Sequence, residues 1–371
     1  MEFIPVNEPL LTGNEKKYLN ECIDTGWISS EGPFVNEFEN KFAAYCGRKY
    51  GVAVCNGTAA LEAAMISLDL EKGDEVIMPS FTIISCASAI IRAGGTPVLT
   101  DSDPVTWNMN PDEVRKKISS RTKAIMAVHI YGLPAEMDPI QKIAEEYGLK
   151  IIEDAAEQIG QTYKGKKCGS FGNISTFSFY PNKHITTGEG GMILTDDPVT
   201  AERCRSLRNL CFKPGKRFVH DELGYNFRMT NLQAALGLAQ FEQIDNFIKK
   251  KKNTGRRYTE ELKDLESIQI PLEKTDYSEN IYWVYGILLK KESGMNAEEI
   301  MKILAERKIG TRPFFYPMHR QPVFQKAGLF KNEEYPVSDY LGDYGFYIPS
   351  GLGVTDEQIS RVSEQLKEIL K

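Results

Sequence analysis

Residues 174–197 read ISTFSFYPNKHITTGEGGMILTDD. Two runs in it, 174–179 and 191–196, are rich in apolar and β-branched residues and read as strands. Between them lies a polar turn that carries Lys183 and is followed by Gly188, Gly190 and Gly191. Glycines this dense let backbone approach a ligand closely. A lysine in a turn is ordinarily a solvated charge. Set between a hydrophobic strand and such a loop, it is also a candidate nucleophile and base, provided its ammonium falls from about 10.4 by roughly 2–3 units.

Upstream, strand-like runs occur at 50–55, 74–79, 96–100, 123–130 and 149–154. Helical patterns separate several of them. One spans Met137 to Tyr147, with Ile140, Ile143, Ala144 and Tyr147 on one face and Gly148 as its stop. An earlier one, Pro33 to Cys46, repeats Phe34, Val35, Phe38 and Phe42 at helical spacing, which makes those rings core. This alternation predicts an α/β fold with a mostly parallel sheet between helices.

Near residue 240 the texture changes. A long charged helical stretch leads to mixed strands around IYWVYGILL (281–289), so the predicted division is a large domain over 1–240 and a smaller one over 241–371. The KKKK run at 249–252 reads as a solvated helix face. In the last helix, Thr355 and Gln358 are spaced as a capping box.

With 371 residues, 42% hydrophobic and 26% charged, the chain can build large cores, and its net charge of -6 gives no electrostatic reason to bind nucleic acid or anionic membrane. Seven scattered cysteines without a C-x-x-C pair read as reduced thiols of a cytoplasmic protein, with no metal site. The amino terminus lacks a basic leader and apolar core, and no later stretch stays apolar for the roughly 20 residues of a membrane span. The expected ligand is small.

Two further segments carry chemistry. In CNGTAALEAAM (55–65) a strand ends at Cys55, Gly57 permits a tight turn and Thr58 is placed as a helix N-cap, where free N–H groups suit a phosphate; an ordinary structural turn explains the same residues. In IIEDAAEQIG (151–160) Asp154 stands at a strand's carboxyl end. It suits a pyridine nitrogen that must stay protonated, or a helix N-cap.

Over nearly its whole length the sequence resembles the DegT family of nucleotide-sugar aminotransferases that use pyridoxal phosphate (PLP). The matching segments are TGWISSEGPFVNEFENKFA, NGTAALEAA, GDEVIMPSFT, TKAIMAVHIYG, IIEDAAE, STFSFYPNKHITTGEGG, GYNFRMTNLQAALGLAQ and RPFFYPMH. The resemblance implies the fold type I, aspartate aminotransferase-like architecture. It makes Lys183 the lysine that carries the cofactor and Asp154 the partner of the ring nitrogen. Gly57, Thr58 and Ser178 would bind the phosphate, joined by Asn226 of a second subunit, so a homodimer with shared sites is implied. Glu157 would lie near the cofactor face. Trp27, Ile28, Ser29, Asn182, His184, Arg228, Tyr316 and His319 fall on the substrate side.

By the same resemblance, glutamate donates its amino group, leaving pyridoxamine phosphate and 2-oxoglutarate, and a nucleotide-linked 4-keto-6-deoxy sugar accepts it. GDP-4-keto-6-deoxymannose is the expected acceptor and dTDP-4-keto-6-deoxyglucose the runner-up. Sugar 3-dehydratases of the family replace the lysine with histidine, whereas here His184 only follows Lys183. A non-catalytic sensor of the same fold is disfavoured by intact Lys183 and Asp154. Ile83 departs from the family, standing where many relatives place an aromatic ring against the cofactor, with Phe81 nearby as a substitute.

Overall fold

The computed structural model describes residues 2–213, 215, 216 and 218–370. Its chain order of strands is β1 Tyr50–Val54, β2 Glu75–Pro79, β3 Thr96–Thr100, β4 Thr122–Val128, β5 Lys150–Asp154, the short hairpin β6 Thr162–Tyr163 and β7 Lys166–Lys167, then β8 Ile174–Ser178 and β9 Gly191–Thr195. Seven of these form one sheet in the order β1-β9-β8-β5-β4-β2-β3. Only β9 runs against its neighbours: it pairs antiparallel with both β1 and β8, while β8, β5, β4, β2 and β3 pair in parallel.

The seven strands are those the apolar runs predict, because each is short, nearly all buried and bounded by turn residues. Helices cover the faces. The Pro33–Tyr45 helix buries Phe34, Val35, Phe38 and Phe42, and Phe42 packs edge-on against Phe177 and Phe179 beyond the sheet. The Met137–Tyr147 helix stops at Gly148, whose φ of 66° is the left-handed turn that glycine adopts without a Cβ penalty.

Four further strands, β10 Ile268–Gln269, β11 Tyr285–Leu289, β12 Arg312–Pro313 and β13 Gly345–Ile348, make a separate antiparallel sheet in the order β10-β11-β13-β12. Its core joins Tyr285, Ile287 and Leu289 to Ile300, Leu304, Ile359, Val362 and Leu366. The closing helix, Asp356–Ile369, carries the predicted capping box at Thr355 and Gln358.

The lysine run departs from its sequence reading. It lies in the Ile244–Leu262 helix, and Lys251 is buried rather than solvated. Its ammonium donates to the carbonyl oxygens of Trp283, at 2.9 Å, and of Ser350. Successive helical residues point about 100° apart, so a run of four like charges cannot all face water on a packed helix. The seven cysteines are unpaired. Among the described residues no helix is long and apolar enough to cross a membrane.

Candidate active site

The carboxyl ends of β1, β4, β5 and β8 open into a cavity of about 770 Å³, where parallel sheets generally place their ligands. Asn56, Gly57 and Thr58 enter it after β1, His129 after β4, Asp154 and Glu157 after β5, and Ser178, Asn182 and Lys183 after β8. Trp283 and Tyr347 bring the second sheet to its wall.

After β1 the Gly57–Ile66 helix begins two residues earlier than predicted. Asn56, not Thr58, is the N-cap, and its side-chain oxygen accepts from the N–H of Ala59. Thr58 sits in the first turn with its hydroxyl 2.9 Å from that of Ser85. The first-turn N–H groups of Gly57 and Thr58 have no intrahelical acceptor. A Cβ on Gly57 would lie 2.7 Å from the Cβ of Ser178, so glycine is what allows the helix start to sit against the end of β8.

Adjacent carboxylates on β5 have opposite fates because side chains alternate across a strand. Burial alone would raise Glu153, but His129 at 3.1 Å and the N–H groups of Gly169 and Gly172 outweigh it and bring the carboxyl to about 2. Glu153 is a structural anchor. Asp154 faces the cavity, 3% exposed, and accepts from the N–H of Ala156 at 3.1 Å and from the Cys86 thiol at 3.4 Å. Burial raises its pKa above the ordinary aspartate value. No helix begins there, which removes the N-cap reading.

The Lys183 amine lies 3.8 Å from Glu157 and 3.7 Å from the centre of the Trp283 ring. Glu157 is itself fixed by the N–H of Tyr131 at 2.7 Å. Burial lowers Lys183 and raises Glu157 to about 8, while their mutual attraction opposes both shifts. Burial wins for each, and an amine biased toward its neutral form is a competent nucleophile.

The donor set fits PLP: a helix N-terminus for phosphate, a buried carboxylate for a ring nitrogen, and an amine beside them. Two lining atoms, Oγ1 of Thr176 and Oδ1 of Asn182, are also buried without a hydrogen-bond partner among the described residues. Such atoms call for a ligand or water.

Gly57, Thr58, Asp154, Glu157, Ser178, Asn182 and Lys183 therefore share one cavity. The remaining predicted residues lie outside its lining. Trp27 and Ile28 are exposed, and the carbonyl of Ser29 accepts from the N–H of Asn231 at 2.7 Å. Arg228 donates to Asn226 at 2.8 Å on an outer face. Tyr316 is exposed beside Arg320. His184 is buried, 3.4 Å from the carbonyl of Ile281, and burial drives it down to about 3. His319 bridges the Ser80 hydroxyl at 2.8 Å and Asp339 at 3.1 Å. Ile83 does line the cavity, but Phe81 is buried against Tyr131, Phe314 and Phe315 and supplies no ring in its place.

The family model described as the DegT/DnrJ/EryC1/StrS aminotransferase family matches residues 9–367. The chain belongs to this family. Among the relatives of this aminotransferase, the GDP-perosamine synthase of Escherichia coli O157:H7 is 43% identical over 368 residues, 99% of each chain. DesI, solved in the presence of its TDP-sugar product, is 30% identical with a TM-score of 0.89 over 99% of this chain and 93% of its own. Spr1654 of Streptococcus pneumoniae, solved in a PMP form, is 25% identical with a TM-score of 0.92 over 99% and 97%. The mostly parallel mixed sheet is that of fold type I, as the sequence implies.

Sequence reasoning missed His129, Thr176, Trp283 and Tyr347 of this aminotransferase's cavity wall, and Cys86 behind Asp154. Thr176 was within reach, since it alternates with Ser178 along β8 and so shares its face. Trp283 lies in an aromatic run that reads only as sheet, and nothing local says which ring meets Lys183.

Proposed function

We propose that this enzyme transfers an amino group from glutamate to the 4-keto carbon of GDP-4-keto-6-deoxymannose, giving GDP-perosamine, with PLP as its cofactor. The observation that carries the reading is the meeting of Lys183, Asp154 and the Gly57–Thr58 helix start in one cavity. Full-length identity of 43% to a GDP-perosamine synthase supports the GDP sugar over its alternatives.

In this reading the N–H groups of Gly57 and Thr58 and the hydroxyl of Ser178 bind the phosphate. Asp154 keeps a proton on the ring nitrogen. Lys183 binds the cofactor through Nζ and then carries protons between it and the substrate carbon, while Glu157 accepts or returns charge beside that amine. The cofactor, when bound, supplies the electron-withdrawing ring and the carrier of the amino group between donor and acceptor.

Asn226 and Arg228 belong to this proposal as groups that reach a neighbouring copy's cavity, which makes a homodimer the active unit. Trp27, Ile28, Ser29 and Tyr316 line the sugar's approach in that dimer. Division into a 1–240 cofactor-binding domain and a 241–371 closing domain, and a cytoplasmic location, complete the reading.

The test is incubation of the PLP-loaded enzyme and glutamate with GDP-, dTDP- and UDP-linked 4-keto-6-deoxy sugars, with products identified by mass and NMR. A 4-amino product from the GDP sugar and release of 2-oxoglutarate are expected. Amination of the dTDP sugar alone would transfer the proposal to that substrate, the reading that the DesI likeness favours.

A further inference from the structure

Asp154 is the most enclosed carboxylate lining the cavity, and what it is bonded to is unusual. One oxygen takes the N–H of Ala156, a donor fixed by the backbone. The other takes the thiol of Cys86, from the Ile84–Arg92 helix, at 3.4 Å. Cys86 is itself fully buried and 3.5 Å from the hydroxyl of Thr82, which lines the same cavity. Beside a carboxylate and out of water the thiol keeps its proton, so it acts as a donor and not as a charge.

A thiol is the weakest O- or N-directed donor among the polar side chains. It satisfies the second oxygen of a buried carboxylate, and so holds its orientation, while withdrawing little of its charge. A hydroxyl at the same place would bond more strongly and make Asp154 a poorer base. We infer that Cys86 is a positioning residue of the transamination site, whose weak thiol bond orients Asp154 and leaves it basic. The inference rests on Asp154 serving the ring nitrogen, as proposed above. The other charged or titratable groups facing Asp154 are Lys183 and His129, which favour its ionised form, and Glu157, with which it repels.

The experiment labels the apoprotein with carboxyl-13C aspartate, identifies the Asp154 signal by its loss in Asp154→Asn, and titrates it in the wild type, Cys86→Ser and Cys86→Ala. Each change is small enough for a buried site to accept. The midpoint is expected to fall by about one pH unit in Cys86→Ser and to rise by a similar amount in Cys86→Ala. Equal midpoints, or the reverse order, overturn the inference. The dissociation constant of PLP, measured on the same proteins, is expected to rise several-fold in Cys86→Ser. Midpoints that move in the stated order with an unchanged constant uphold the coupling of Cys86 to Asp154 and instead refute the assignment of Asp154 to the cofactor ring.

Discussion

The amine of Lys183 stands 3.7 Å from the centre of the Trp283 indole, and the N–H of that indole donates to the carbonyl of Asn182, the residue before the lysine. Ring and lysine backbone are thus fastened to each other. Burial biases the amine toward its neutral form, so the ring's attraction for the ammonium, about 2 kcal/mol in a desolvated site, bears on the steps in which Lys183 carries a proton. Trp283→Leu is expected to lower kcat/KM roughly 30-fold, and Trp283→Phe, which keeps a face, less than about tenfold. Steady-state kinetics with glutamate measures both, and equal losses would show that the ring acts by bulk alone.

Glu157 gives the apoprotein a pH dependence of known sign. Its carboxyl moves from 4.5 to about 8 on folding, so the folded state binds that proton more tightly than the unfolded chain. The contribution is complete below about 4.5 and is lost as pH rises to about 8. Urea unfolding of the wild-type apoprotein is therefore expected to weaken across that window relative to Glu157→Gln, and the two curves should run parallel above it.

Gly57 tests the cradle. A methyl group there meets Ser178 at 2.7 Å, so Gly57→Ala must push the helix start away from the end of β8 where phosphate is proposed to bind. The expected outcome is at least a roughly tenfold weaker PLP affinity, about 1.4 kcal/mol, by fluorescence titration. Circular dichroism of the folded protein should be unchanged.

His319 is expected to matter for stability and not for substrate. Removing it strands the Ser80 hydroxyl and leaves Asp339 to Arg320 alone, so His319→Ala should cost about 2–4 kcal/mol in urea unfolding. The KM for the sugar should stay within about twofold, because the ring lies outside the cavity lining.

The sheet and its cavity were legible because their signals are local. Seven buried strands announce themselves by composition, and Lys183, Asp154 and Gly57 each stand at a strand end that can be read within a few residues. The misreadings share a cause. Asn56 displaced Thr58 as N-cap because both residue types cap well, and only backbone geometry decides between neighbours. Lys251 reads as solvent-facing until Trp283 and Ser350 present carbonyls to it across the fold. His319 has a side chain fit for substrate contact, but its partners come from positions 80 and 339. Tertiary partners so distant in the chain leave no trace in spacing.

The reversed strand β9 has a bearing on motion. Because Ser178 pairs with Gly191, the loop bearing Lys183 is a hairpin with both feet in the large sheet. Trp283 hangs instead from the other sheet's entry segment and from the Lys251 helix. Rocking of the second sheet would pull on the indole N–H bond to Asn182, and the ring could slide over the amine only once that bond opened. The lysine is the fixed anvil of this site, and a single hydrogen bond latches the indole down on it.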